Sequence, residues 1–288
     1  MSVRSAISNP WGRARFLWVV GIGYVAWTMI PIVVAVLFSF NETRSISNLT
    51  GLSLRWWLWD PDDSLARDPA IRQAIVQTLK LAALTTIVSV PLGVGFALAL
   101  DRWRGRSAGA TNFLMMFSFI TPELILAVSL FLLFVNAFDV IGLGTGAQFI
   151  GLLVLSLAYP VVVVRARLVS LGREFEEAAL DLGASPLGSL VRVTLPLLAP
   201  AIIASAAIVF ALALDDFVTV QQLSSDAPTA TVSMYIYGTA RGAPTPAANA
   251  VGTLMLAAST ALIVMAYLFY RRTLRREGTA VAPIQIGS

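Results

Sequence analysis

Cysteine and histidine are both absent from this chain of 288 residues. Disulfides, zinc sites built from thiolates or imidazoles, iron–sulfur clusters, and catalytic Ser-His-Asp or Cys-His groups are therefore all excluded. Any acid–base catalysis would have to use carboxylates alone.

Lysine is almost absent as well, since Lys80 is the one lysine of the sequence. The residue before it is Leu79, so the Gly-Lys-Ser/Thr ending of a phosphate-binding P-loop cannot occur in this chain. If the protein works with ATP, another subunit must hydrolyse it.

Charge of either sign is scarce, because 12% of the residues are charged, whereas about a quarter are charged in an ordinary soluble domain. Hydrophobic residues make up 57% of the chain. Several apolar runs are long enough to cross a hydrocarbon core, which takes roughly 17 to 25 residues. The sequence thus predicts an all-α integral membrane protein with six transmembrane helices, in the runs Phe16–Phe40, Ala74–Leu100, Phe113–Phe138, Ala147–Val164, Leu197–Leu214 and Ala247–Tyr270.

The first run is predicted to stay in the protein as a spanning helix. It is too long for the apolar segment of a signal peptide, and Ser39-Phe40-Asn41-Glu42 after it offers no cleavage site of small residues.

The distribution of arginine predicts the orientation, since cytoplasmic segments next to spanning helices collect Lys and Arg. The loops on the other side carry fewer basic residues, although the first outer loop is mixed. No basic stripe is interleaved with aromatic residues, so nucleic acid is not an expected partner, and the basic residues face anionic membrane lipid instead. Both termini are predicted to be cytoplasmic, from Arg4, Arg13, Arg15, Arg102, Arg104, Arg106, Arg165, Arg167, Arg173, Arg192, Arg271, Arg272, Arg275 and Arg276.

The segment between the fourth and fifth runs predicts a short amphipathic helix outside the bilayer. From Glu174 onward, apolar and acidic residues recur on opposite sides at helical spacing. Gly183 suits the end of this helix, and Ser185 with Pro186 suits the start of a second one. Such a helix lies either on the inner membrane surface or in a groove of a soluble partner. Its acidic residues favour the groove, because surface helices prefer Lys and Arg.

The same segment resembles a family motif. Glu177, Ala178, Ala179, Gly183, Leu195 and Pro196 fall at the spacing of the E-A-A loop of permease subunits in bacterial binding-protein-dependent ABC importers, of the type I, MetI-like class. Val193 replaces the isoleucine of that motif. The resemblance implies that this coupling helix docks on an ATP-binding subunit and transmits its movements to the spans. The coupling residues that it implies are Glu176, Glu177, Ala178, Ala179, Asp181, Gly183, Leu195 and Pro196.

Four charged residues within or at the ends of apolar runs are candidates for function, because a charge at the centre of a spanning helix costs about 2.5 to 3.5 kcal/mol. Glu123 is predicted halfway along the third span, at a depth where it either pairs with Lys80 or lines a path. Lys80 otherwise extends toward the outer interface. Asp215 and Asp216 are either a polar helix end or an electronegative mouth suited to a cation. Adjacent helical residues point about 100° apart, so this pair is poorly arranged for an enzyme's acid–base work.

A narrower resemblance concerns the substrate. Ala213-Leu214-Asp215-Asp216-Phe217 and Thr121-Pro122-Glu123 are similar to the polyamine (spermidine and putrescine) branch of these permeases. It implies that Glu123, Asp215 and Asp216 line the path of a small cationic substrate. These motifs are shared with relatives that import opines, aminophosphonates or other small solutes such as amino acids, which remain alternatives.

The tryptophans of the first outer loop have two interpretations. Trp56 and Trp57 lie near the start of the second span, where tryptophans usually anchor a helix at the membrane interface. The alternative is an aromatic contact with the substrate's methylene or ammonium groups.

The resemblance runs from about Ile71 to Leu268 and predicts three regions. Residues 1–69 hold the N-terminal tail, the first span and an outer loop, residues 70–270 form the permease domain, and residues 271–288 form a basic cytoplasmic tail.

The implied protein is a multi-pass subunit of the bacterial inner membrane, without an enzyme activity or a cofactor of its own. Its implied partners are ATP-binding cassette ATPase subunits holding ATP and Mg²⁺, a second permease subunit, and a periplasmic or extracellular solute-binding protein. A transporter driven by an ion gradient is the rival hypothesis, and it would need no exposed coupling helix.

Overall fold

The computed structural model describes residues 15–102, 109–110, 113, 120–136, 142–242 and 244–276. Arg4, Arg13, Arg104 and Arg106, which entered the orientation prediction, lie outside these residues, as does the end of the basic tail. Helices account for most of the described chain, as the sequence predicted.

The described helices are joined by connections of unequal length, and the longest described connection runs from residue 39 to residue 68. Two π-helical turns (Arg55–Trp59 and Leu190–Thr194) and one 3-10 turn (Ala227–Thr229) lie between them. The α-helices are α1 (Arg15–Phe38), α2 (Pro69–Arg102), α3 (Glu123–Asn136), α4 (Thr145–Ser156), α5 (Ala158–Leu171), α6 (Glu174–Asp181), α7 (Pro186–Ser189), α8 (Leu195–Asp215), α9 (Val218–Gln222), α10 (Val232–Arg241) and α11 (Pro246–Arg276).

Within the described residues, five stretches are long and apolar enough to cross a membrane. Helices α4 and α5 together form one of them, because Leu157 between them keeps a helical backbone. Of the predicted third span, Phe113–Phe138, the structure describes residues 113 and 120–136, where α3 is an apolar helix of 14 residues, and the other residues of this span lie outside the described chain. The count of six spans, the orientation of the termini and the division into three regions therefore stay predictions. The five stretches are Leu17–Phe38, Pro69–Arg102, Thr145–Leu171, Pro186–Asp215 and Pro246–Leu268.

Helix α2 is the centre of the bundle and packs against α4, α5 and α8. Toward its C-terminal end, Ala97 is buried in a cluster with Val164 and Leu198. Gly93 allows α2 and α5 to approach, since a Cβ atom there would lie 2.5 Å from Cγ of Pro160. These contacts fix the relative positions of the helices that carry the candidate sites.

Helix α1 stands at the side of the bundle and packs against α11. Nearly all of its described side chains are exposed, and they are apolar on every face. A helix that is hydrophobic all round belongs in a nonpolar surrounding, so lipid suits this helix.

Candidate functional site

A cavity of about 570 Å³ brings together the three carboxylates that the sequence had singled out, Glu123, Asp215 and Asp216. No lysine or arginine is among the described residues that line it. The lining consists of Ile120, Thr121, Pro122, Glu123, Leu152, Leu155, Ser156, Tyr159, Leu212, Asp215, Asp216, Phe217 and Val218.

The predicted depth of Glu123, halfway along the third span, stays a prediction, since residues 114–119 and 137–138 of that span lie outside the described chain. Glu123 is the first residue of α3, and the helical backbone is interrupted at Thr121 and Pro122 before it. The cause is Pro122, because proline disfavours a helical backbone at the residue before it and lacks an N–H of its own. The carbonyl of Pro122 accepts hydrogen bonds from the N–H groups of Ile125 and Leu126 as α3 begins. A carboxylate at a helix N-terminus is stabilised by the helix dipole.

Of the two alternatives for Glu123, the ion pair with Lys80 is not found among the described residues, and the carboxylate lines the cavity instead. Lys80 is exposed on α2 and does not line the cavity. The ion pairs of the described chain join Arg44 to Asp63, Arg55 to Asp60, Arg102 to Glu176, and Arg173 to Asp101.

Asp215 and Asp216 differ because α8 ends between them. Oδ1 of Asp216 accepts hydrogen bonds from the N–H groups of Thr219 (3.0 Å) and Val220 (3.1 Å), and thereby caps α9. Its carbonyl accepts a third hydrogen bond, from the hydroxyl of Ser233 at 2.7 Å. Asp215 is exposed, and within the described chain its carboxylate makes no hydrogen bond or ion pair.

Buried amides hold this wall of the cavity in place. Nε2 of Gln77 donates to Oε1 of Gln148 at 2.9 Å. Nε2 of Gln148 in turn donates to the carbonyls of Val220 (3.0 Å) and Thr229 (2.9 Å). Neither glutamine was among the residues predicted from the sequence, although a lone amide in an apolar run is itself a signal of a buried polar contact.

The structure places Trp56 and Trp57 in the packing of the loop between α1 and α2 and not at the cavity. Trp56 is fully buried and donates a hydrogen bond to the carbonyl of Asn41 at 2.7 Å. Trp57 donates to the carbonyl of Ser39 at 3.1 Å, and its ring stacks on Phe40. The interfacial-anchor interpretation is therefore wrong for Trp56, which is enclosed by protein. A substrate contact of either tryptophan stays a prediction.

An ion pair stabilises the same loop between α1 and α2. Asp60 is 2% exposed, and its carboxylate accepts hydrogen bonds from the side chain of Arg55 and from the N–H groups of Asp62 and Asp63. Burial alone would raise the pKa of Asp60, but these hydrogen bonds and the charge of Arg55 together lower it below the ordinary 3.8.

The predicted helix, break and second helix are confirmed in the segment between α5 and α8. Helix α6 has no buried residue, and Gly183 after it has φ of +86°, in the left-handed region that favours glycine. The hydroxyl of Ser185 accepts a hydrogen bond from the N–H of Gly188, and Pro186 occupies the first turn of α7. The apolar side of α6 is uncovered, since Phe175 is 53% and Leu182 90% exposed.

The predicted coupling residues occupy different surroundings. Helix α6 leaves Glu177, Ala178 and Asp181 exposed, whereas Ala179 is half-buried. Glu176 turns back toward the bundle, where its Oε1 lies 2.7 Å from Nη2 of Arg102.

Leu195 and Pro196 lie in the first turn of α8. Leu195 packs against the buried cluster at the C-terminal end of α2, so this end of the motif belongs to the bundle.

Comparisons with known proteins agree with this architecture. A family described as "Binding-protein-dependent transport system inner membrane component" matches residues 89–277. The putrescine transport system permease protein PotI of Escherichia coli K12 is 33% identical over 258 residues, 88% of each chain. The spermidine/putrescine transport system permease protein PotC of Haemophilus influenzae is 30% identical over 262 residues, 90% of this chain and 96% of that one.

Solved structures share the fold at lower identity. A bacterial ABC transporter involved in the import of the acidic polysaccharide alginate has a TM-score of 0.71 and 16% identity, covering 93% of this chain and 98% of its own. The inward-facing MetNI methionine ABC transporter has a TM-score of 0.54 and 17% identity, covering 71% and 94%. Together with the family match over more than half of the sequence, these likenesses show that the chain belongs to the inner membrane components of binding-protein-dependent transport systems.

Proposed function

We propose that this permease subunit forms part of the path by which an ATP-driven importer moves a small cationic solute, a polyamine such as putrescine or spermidine. The observation that carries the proposal is the cavity lined by Glu123, Asp215 and Asp216. Carboxylates without basic neighbours create a negative potential that concentrates cations.

The shape of a polyamine suits this lining. Its ammonium groups are separated by methylene segments, and the cavity combines carboxylates with apolar side chains such as Leu152, Leu155 and Leu212. The relatives named as putrescine and spermidine/putrescine permeases support the same class of substrate. The fold by itself supports no substrate, since transporters of alginate and of amino acids share it.

The energy source in this proposal is ATP bound with Mg²⁺ on separate ATPase subunits. The uncovered apolar side of α6, with Glu177 and Asp181 exposed beside it, suits a helix that inserts into a groove of a soluble protein. A second permease subunit and a periplasmic solute-binding protein complete the assembly. A solved alginate transporter was crystallised with its periplasmic protein, which supports that composition for the fold.

The test is uptake by the complete complex, reconstituted in proteoliposomes with its ATPase subunits, partner permease and binding protein. We expect uptake of radiolabelled putrescine when ATP is enclosed with the ATPase subunits, and none when an ion gradient replaces ATP. Uptake of an amino acid or an aminophosphonate in place of putrescine would reject the substrate and keep the permease function. Uptake driven by the gradient alone would reject the ATP-driven mechanism.

A further inference from the structure

We propose that crossed ion pairs between the C-terminal end of α2 and the start of α6 transmit the movements of α6 to α2. This connection adds to the covalent connections of α6 with the helices before and after it in the chain. The four residues Asp101, Arg102, Arg173 and Glu176 are called the latch. This inference rests on the proposed ATP-driven function.

Each side of the latch carries one acid and one base: Asp101 and Arg102 at the end of α2, and Arg173 and Glu176 at the start of α6. Nη2 of Arg102 lies 2.7 Å from Oε1 of Glu176. Nη2 of Arg173 donates a hydrogen bond to the carbonyl of Asp101 at 3.1 Å and lies 3.6 Å from its Oδ2. Because acid and base are exchanged between the two pairs, each helix end carries both signs, and the geometry is specified at two points.

The latch is partly shielded from solvent. The side chains of Asp101 and Glu176 are 28% and 27% exposed, whereas Arg102 and Arg173 are 41% and 49% exposed. A cleft of about 20 Å³ beside them, with Leu168, Leu171 and Leu197 in its walls, has room for about one water molecule. Exposed single ion pairs contribute little to stability, so the value of the latch lies in the position that its two pairs impose on α6.

The backbone at both ends of α6 explains why a side-chain link matters. Gly172 before α6 has φ of +69°, and Gly183 after it has φ of +86°. The helical hydrogen-bond pattern is broken at both places, so neither α5 nor α8 continues into α6 as a rigid rod. Helix α2, by contrast, is one helix of 34 residues that packs along α4, α5 and α8. A displacement of α6 that pulls on Arg102 therefore acts on the centre of the bundle.

The latch also changes the role assigned to Glu176. The family resemblance placed it with Glu177 on the surface that docks the ATPase, but its carboxylate is directed to Arg102. Glu177 is exposed on the same helix and remains available for docking. Glu176 is thus a positioning residue for α6.

The experiment compares Arg102→Glu, Glu176→Arg and the double charge exchange in the complete reconstituted complex. The quantity measured is ATP hydrolysed per putrescine imported. Each single variant places like charges together, and we expect the ratio to rise about fivefold or more. The double variant restores opposite charges and should return the ratio toward that of the unaltered protein. Arg192→Glu is the matched control, since Arg192 is exposed on the same side of the bundle and makes no ion pair within the described chain.

A second measurement does not depend on coupling. Because the chain has no cysteine, Arg102→Cys with Glu176→Cys introduces a unique pair for a short bifunctional maleimide. We expect cross-linking in membranes with and without a non-hydrolysable ATP analogue, because a connection that transmits movement must stay attached throughout the cycle.

The inference is overturned if cross-linking is lost in either state, if the single variants match Arg192→Glu, or if the charge exchange restores nothing. Failure of the proposed function is distinguishable, since it would already show in the unaltered complex as uptake indifferent to ATP.

Discussion

Asp215 and Asp216 are neighbours in the chain with different tasks, because the helix ends at the peptide bond between them. Asp216 uses one carboxylate oxygen to cap α9 and its carbonyl to hold Ser233. Asp215 is left exposed at the cavity. Asp216 thus holds α9 in the wall of the cavity, whereas Asp215 leaves its carboxylate free at the lining.

The cap predicts a difference between two substitutions of Asp216. Asparagine caps a helix about as well as aspartate, whereas alanine offers no acceptor. We expect Asp216→Ala to lose about 1 kcal/mol of stability relative to Asp216→Asn, as followed by thermal unfolding in detergent. Asp215→Ala and Asp215→Asn are the controls, and they should unfold alike because Asp215 caps nothing. Equal unfolding of the two Asp216 variants would contradict the assigned cap.

Helix α6 is the element best suited to contact another protein, because the turns at Gly172 and Gly183 let its axis point in a different direction from those of α5 and α8. Its residues carry an apolar side that nothing in the described chain covers. The position of α6 is fixed on one side by the latch. On the other side, Ser185 caps the helix that follows.

The backbone at Gly183 predicts which substitutions interrupt coupling. A Cβ atom there meets nothing within 4 Å in this chain, so the cost of a side chain is the left-handed backbone, about 1 to 2 kcal/mol. Gly183→Leu should lower ATP-dependent putrescine uptake, measured in proteoliposomes. Asparagine adopts the left-handed region routinely, so Gly183→Asn should retain most of it. If Gly183→Asn fails as badly as leucine, close approach of the ATPase subunit and not backbone strain is the reason for glycine. Normal uptake by Gly183→Leu would contradict any role of this turn.

At the scale of the whole molecule, the cavity and α6 are separate sites joined by long helices. Helix α8 starts one π-helical turn after α7 and ends at Asp215, and its 21 residues span about 30 Å. The fold is shared with importers of very different solutes, and in the proposed function the lining of the cavity decides which solute passes. Substitutions in the cavity lining should therefore change which solute is imported without changing the binding of the ATPase subunits.

Glu123→Gln tests that separation. Removing one carboxylate should reduce uptake of putrescine about tenfold, since a charge contact of this kind contributes more than about 1.4 kcal/mol. The loss should be smaller for N-acetylputrescine, which has lost one ammonium group. Co-purification of the ATPase subunits with the variant should not change. A parallel loss of ATPase binding would show that the change reaches α6 and would contradict two separate sites.

The sequence by itself determined the membrane class, five of the six predicted apolar spans, the helix–break–helix of α6 and α7, and the choice of Glu123, Asp215 and Asp216 as candidates. These features depend on local composition, on glycine and proline, and on the cost of charge in an apolar run, all of which act over a few residues. Only the tertiary structure decided that Glu123 faces the two aspartates and not Lys80, that Trp56 is buried, and that Glu176 binds Arg102. Arg102 and Glu176 are 74 residues apart in the chain, and such pairs are set by how whole helices pack.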